Sequence, residues 1–219
     1  MKITDHLYFY QERGMLDSNT YVIKGKRSLI VDAGLDRSLG TKVKEMEKDG
    51  IDPTAIELII NTHLHLDHCC GNMAFKEKFG GSIMLAPVQK EHYQVSLHEA
   101  TRFFGLEPID FQEDGALDNP IDLGGLILDV LSTPGHSLES LCFYCGGERF
   151  LISGDLLFDH NTGRTDLPGG NVEILKQSIE KVSELDIDFL LPGHMGIITE
   201  QRFVKENFQF VRENVFRWL

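Results

Sequence analysis

The sequence predicts an α/β protein in which two sheets with flanking helices pack into one four-layer unit. Two successive halves of the chain each open on short strands and close on alternating strands and helices. No linker rich in Pro, Gly or Ser and no charge block separates the halves, so one domain over residues 1–219 is expected. Apolar residues make up 42% of the chain and charged residues 25%, which suits a sizeable buried core and excludes disordered and collagen-like classes.

The first half begins as a β-meander, with strands at residues 7–10 and 20–23, a turn at Lys24-Gly25-Lys26, and a strand at 28–31. Residues 37–48 read as an amphipathic helix, because Leu39, Val43 and Met46 recur at helical spacing among charges and Gly50 with Pro53 ends the run. An apolar strand at 56–60 follows, then a helix around 72–78, a strand at 83–85 and a longer helix from about 87 to 102. Residues 105–120 are polar and turn-rich, and are expected to cross between the halves. The second half has strands at 126–131, 141–144 and 150–152, the last two joined by a Gly146-Gly147 turn. A Gly-rich loop at 154–170 leads into a helix at 172–185, a strand at 189–191 and a last helix from about 200 to 218. The aromatic residues of that helix, Phe203, Phe208, Phe210, Phe216 and Trp218, are placed to cap the sandwich or, in a homodimer, a partner subunit.

Composition narrows the function. Lysine and arginine number 21 against 34 aspartates and glutamates, a net charge of −13 that repels phosphate backbones, so nucleic acid is not the expected ligand. No apolar run approaches the ~20 residues of a membrane-spanning helix. Residues 1–14 lack the apolar stretch of a signal peptide, and the cysteines fall in two local pairs, Cys69-Cys70 and Cys142-Cys145. The expectation is a cytoplasmic protein acting on a small molecule.

Four apolar strands each run into a short polar cluster. Residues 56–60 lead into Asn61-Thr62-His63-Leu64-His65-Leu66-Asp67-His68, which offers four ligands in six residues. Alternation along a strand lets His63 and His65 share a face, while Asp67 and His68 lie where the chain can turn back. Ser132-Thr133-Pro134-Gly135-His136 and Leu191-Pro192-Gly193-His194 each place a histidine after a Pro-Gly turn at a strand end. Phe150-Leu151-Ile152-Ser153-Gly154 runs into the carboxylate of Asp155. A lone buried histidine is usually a core residue, but five histidines and two aspartates at strand ends point to a two-metal site with open positions.

The chain resembles the metallo-β-lactamase superfamily, whose H-x-H-x-D-H motif stands here as His63 to His68, with later positions at His136, Asp155 and His194. The opening Asn19-Thr20-Tyr21-Val22-Ile23 and Ile30-Val31-Asp32-Ala33-Gly34 are similar too. The resemblance implies an αββα sandwich. It implies one metal on His63, His65 and His136, a second on Asp67, His68 and His194, and Asp155 between them. Two divalent ions are implied, zinc first, with iron or manganese as alternatives. Residues 153–158 with Gly163-Arg164-Thr165-Asp166-Leu167-Pro168-Gly169-Gly170 are similar to glyoxalase II-type hydrolases and the related persulfide dioxygenases. Glyoxalase II carries a glutathione-binding helical domain where this chain has one helix after His194, which leaves the thiol carrier open.

Hydrolysis of a thioester is the expected reaction, with Asp67 and Asp155 as catalytic carboxylates. Hydroxide held between two metals exists at neutral pH, and a thiol of pKa near ~8.5 leaves with little acid help. A mononuclear iron persulfide dioxygenase using His63, His136 and Asp155, or a lactone or other ester hydrolase, is the alternative. Arg164 and His160 are candidate substrate contacts, Arg164 with the second reading of an ion pair to Asp166. Cys69, Cys70, Cys142 and Cys145 read as packing residues, and His92 and His98 as solvated.

Overall fold

In the computed structural model, which describes residues 1–14 and 16–219, an antiparallel meander of β1 (Leu7–Tyr10), β2 (Thr20–Ile23) and β3 (Ser28–Val31) opens the chain. Helix α1 (Asp36–Lys48) then carries it to β4 (Ile56–Ile60), which pairs with β3 in parallel. The helix forms because Leu39, Val43 and Met46 make one buried stripe, and it ends as Gly50 takes a positive φ. A single turn α2 (Leu66–Cys69) and α3 (Asn72–Phe79) lead to β5 (Ser82–Leu85), again parallel to its neighbour.

The helix predicted over 87–102 is broken. Between α4 (Pro87–Glu91) and α5 (Ala100–Phe103), residues Gln94–Glu99 wind as a wider π-helix, which shifts the inward face by a residue. His98 is buried as a result: its Nε2 lies 2.8 Å from Asp110 Oδ1 and its ring packs edge-on to Tyr93. The expectation of a solvated His98 is corrected accordingly.

The crossing segment and the residues just after it contribute two short strands, β6 (Gly115–Ala116) and β7 (Ile121–Asp122). Strands β8 (Ile127–Ser132), β9 (Leu141–Cys145) and β10 (Phe150–Gly154) form a second meander. The predicted loop at 154–170 holds a small hairpin, β11 (Leu157–Phe158) and β12 (Asn161–Thr162). Helix α6 (Val172–Ser183) then crosses to β13 (Phe189–Pro192), parallel to β10, before β14 (Ile198–Thr199) and α7 (Gln201–Phe210), whose winding widens over Val211–Val215. Two-residue strands show no periodicity, so the sequence did not reveal β6, β7, β11, β12 or β14.

Two six-stranded sheets result, ordered β1-β2-β3-β4-β5-β6 and β14-β13-β10-β9-β8-β7. Alternation along the strands splits the apolar residues into three layers. Leu7, Phe9, Leu58 and Ile60 face Phe143, Phe150 and Ile152 between the sheets. Tyr8, Val22, Ile30 and Ile59 face Leu39, Val43, Met46 and Phe75 on the outer helices of the first sheet. Cys142, Leu151 and Leu190 face Ile179, Val182, Val204 and Phe208 beside the second, so the last helix lies against this sheet. Each fully buried side chain of these layers contributes roughly 1.5–3 kcal/mol. Cys142 and Cys145 point to opposite layers and do not form a ligand pair. None of the described helices is long and apolar enough to cross a membrane.

A buried ion pair ties the segment after β1 to α1. Lys42 Nζ donates to Asp17 Oδ1 at 3.1 Å and to the Ser18 carbonyl at 2.7 Å, and Asp17 also accepts from the backbone N–H groups of Arg13 and Leu35. Neither side chain of the pair is accessible to solvent. Lys42→Met, which strands the Asp17 charge, is expected to cost about 3–5 kcal/mol in denaturant unfolding, with Lys42→Met/Asp17→Asn recovering part of it. A loss under about 1 kcal/mol would show that the pair does not hold this segment.

Candidate metal centre

Every predicted ligand lies past the C-terminal end of a strand, on one edge of the sandwich. The turn after β4 presents His63 and His65, and α2 turns back at once to present Asp67 and His68. His136 follows β8, Asp155 follows β10 and His194 follows β13. Gly135, at φ +136°, holds the turn before His136 in a conformation that L side chains avoid. Gly193 is required by close approach, since a Cβ there would collide with Asp155 Oδ1 and the His68 ring.

The seven side chains converge in three overlapping groups: His63, His65 and His136; Asp67, His68 and His194; and Asp155 with His63 and His68 between them. His65 Nδ1 lies 3.1 Å from His63 Nε2 and 2.9 Å from His136 Nε2. His194 Nε2 lies 3.3 Å from Asp67 Oδ2, and His68 Nε2 lies 3.9 Å from the same oxygen. Asp155 spans both trios, with Oδ1 3.4 Å from His68 Nε2 and Oδ2 3.6 Å from His136 Nε2 and 3.5 Å from His194 Nε2.

Partners on the far ring nitrogens set which atom points inward. His136 Nδ1 donates to the Arg164 carbonyl at 2.7 Å, His68 Nδ1 to Asp32 at 2.9 Å and His194 Nδ1 to Glu12 at 2.7 Å. His63 Nδ1 donates to Thr62 Oγ1, which itself donates to Asp32. In the neutral rings, these four Nε2 atoms therefore carry lone pairs into the cluster.

Lone pairs at such distances repel unless a cation lies among them, and neither His68 Nε2 nor Asp155 Oδ1 has a hydrogen-bond partner although both are buried. Imidazole and carboxylate together suit zinc, iron or manganese. The residues present thus fit metal.

The electrostatics divide the trios. Burial and the neighbouring imidazoles push the pKa of His63 well down, and burial with His136 takes His65 down to about 3, so both rings stay neutral. Burial also works against a proton on His68, but Asp32, Asp155 and Asp67 outweigh it and lift its pKa to about 10. His194 is likewise lifted to about 11 against burial, by Asp155, Asp67 and Glu12. Against their own burial, Asp67 and Asp155 are held below the usual carboxylate range, chiefly by His68 and His194. Asp67 and Asp155 are the carboxylates within the cluster, and Asp32 and Glu12 accept from His68 and His194 behind it.

Further side chains support the cluster from behind. Asp32 follows the apolar strand β3 as Asp155 follows β10, so the same strand-then-carboxylate pattern marks both. Glu12 has no local signal. It accepts from His194 Nδ1 and from the Met195 N–H, while Asn19 donates to the carbonyls of Pro192 and Met195. Buried Glu139 accepts from the Leu64 N–H at 2.8 Å and from the Ser137 hydroxyl, tying the His136 turn to the His63 segment.

A cavity of about 740 Å³ opens beside the cluster, with His65, Asp67, His136, Asp155, His194 and Arg164 on its wall. Arg164 forms a two-bond ion pair with Asp166 at 2.6 Å, and its guanidinium carbon lies 5.5 Å from the centre of the Phe104 ring. His160 is not brought to the cavity. It sits at the tip of the β11–β12 hairpin, facing outward against Phe210 and paired with Asp159. Cys69 is buried and its thiol pKa is pushed well up by burial, whereas Cys70 lines the cavity.

A profile of the metallo-beta-lactamase superfamily matches residues 13–194. The probable metallo-hydrolase MJ0888 of Methanocaldococcus jannaschii is 33% identical over 186 residues, 81% of this chain and 87% of that protein. The hydroxyacylglutathione hydrolase GloC of Haemophilus influenzae is 30% identical over 183 residues, 80% of this chain and 82% of its own length. The crystal structure of TTHA1623 in a di-iron-bound form aligns at a TM-score of 0.72 and 26% identity, covering 91% of this chain and 96% of that one.

If Glu12 orients His194 as a ligand, Glu12→Ala weakens retention of one zinc equivalent by about 10- to 100-fold, and Glu12→Gln, whose amide oxygen still accepts, by less. Zinc titration against a competing chelator measures this. Equal retention by the three proteins would remove Glu12 from the metal centre.

Proposed function

The chain belongs to the metallo-β-lactamase superfamily, and on that premise we propose that this metal-dependent hydrolase cleaves a thioester of a small-molecule substrate. The observation that carries the reading is the pair of ligand trios, His63, His65 and His136 and Asp67, His68 and His194, with Asp155 within reach of both on the wall of an open cavity. His63, His65 and His136 would hold one divalent ion, and Asp67, His68 and His194 the other. Bound there, the ions supply an acidified water and an electrophile for a carbonyl oxygen.

The chain's own residues do the rest. Asp67 is about a quarter exposed, ionised, and open to the cavity, so it orients the attacking water and accepts its hydrogen bond. Asp155, nine-tenths buried, keeps the two trios in register. Water forms the new C–O bond, the C–S bond breaks, and the products are a carboxylate, a thiol and one proton. The described residues lining the cavity include neither lysine nor tyrosine. A thiolate needs no such acid to leave, whereas an amine does. The 30% identity to a hydroxyacylglutathione hydrolase supports thioester chemistry over other acyl transfers. A single iron on His63, His136 and Asp155 would leave the Glu12–His194 and Asp32–His68 pairs with no ion to serve.

Protein purified under low oxygen without added metal is expected to hold close to two ions per chain, falling to about one in His194→Ala. His63→Ala is expected to lower kcat/KM on acyl thioesters by more than about a hundredfold. One iron per chain, kept in His194→Ala and accompanied by oxygen consumption with glutathione persulfide, would overturn the reading. Turnover of lactones alone would keep the hydrolase and discard the thioester.

A further inference from the structure

The cavity beside the metal centre is built for more than a reacting carbonyl. Leu16, Leu66, Phe104, Leu106, Phe158 and Leu167 form its wall. At its mouth Leu16, Phe104 and Leu106 stand 50%, 47% and 40% exposed, large apolar side chains that water covers at a cost. Two cations also line the cavity, Arg37 and Arg164; Arg164 is committed to Asp166 through two hydrogen bonds and lies over the Phe104 ring, and Arg37 stands next to Asp36 on the same wall. The chain as a whole carries a net charge of −13. Such a mouth offers an apolar group a surface to cover.

Resting on the thioesterase reading, we infer that this wall seats an aliphatic acyl chain, so that the substrate is a thioester of a chain several carbons long. The chain covers Phe104 and Leu106 and directs its carbonyl carbon toward Asp155 and His194.

The test uses metal-loaded enzyme and N-acetylcysteamine thioesters of acetate, butyrate, hexanoate and octanoate, with lactoylglutathione as the polar comparison. Each added methylene is expected to raise kcat/KM roughly fourfold until the cavity is filled, and octanoyl thioester should exceed lactoylglutathione. Phe104→Ala and Leu106→Ser, both at half-exposed positions that should leave folding intact, are expected to flatten this series. Binding is read separately with the unreactive S-alkyl thioethers of the same carrier, by calorimetry. Affinity rising with alkyl length in the parent, and not in Leu106→Ser, supports the acyl wall even if no thioester turns over, in which case only the thioesterase reading fails. Hydrolysis without chain-length dependence, joined by thioether affinity that does not rise with length, overturns the acyl wall and leaves the thioesterase standing. Preference for lactoylglutathione also overturns it.

Discussion

Five imidazoles and two carboxylates packed edge to edge make an arrangement that a protein interior disfavours unless positive charge lies among them. Four of the five rings are almost wholly buried, and lone pairs face one another across about three ångströms. The rest of the site is the means of holding that arrangement before any cation arrives. Asp32 fixes two histidines, one directly and one through Thr62. Glu12 and the Arg164 carbonyl fix two more. These partners select the tautomers and orient the rings, so a cation would meet ligands already aimed.

The sandwich supplies the edge on which this is possible. Each sheet combines an antiparallel meander with a parallel crossover, β3 to β4 through α1 and β10 to β13 through α6. Parallel neighbours end on the same side, so Asp32, His63, Asp155 and His194 emerge together. The backbone joins the two sheets at the same place, since the Leu141 N–H donates to the Thr62 carbonyl. Gly193 then lets the β13 turn pass against Asp155, where any side chain would block it.

The segment between β1 and β2 links stability to chemistry. Its Asp17 is anchored by Lys42, its Asn19 clasps the turn carrying His194, its Glu12 orients that histidine, and its Leu16 reaches the cavity mouth. The buried Lys42–Asp17 pair thus ties α1 to the stretch from which Glu12 and Asn19 reach the His194 turn.

The sequence by itself determined which candidate ligands stand at the strand ends, and the layer order. His63 to His68, His136, Asp155 and His194 follow apolar strands directly, and strand alternation with turn chemistry acts over a few residues. The partners of those ligands were decided only by the tertiary structure. Glu12 lies 182 residues from His194 and Glu139 lies 75 from Leu64, separations at which no periodicity survives. The same holds for His160 and His98: the first turns outward because a two-residue hairpin sets its direction, and the second turns inward because a π-turn shifts the face of its helix. Local pattern specifies which atoms can bind a metal; packing across the two sheets specifies which way each of them points.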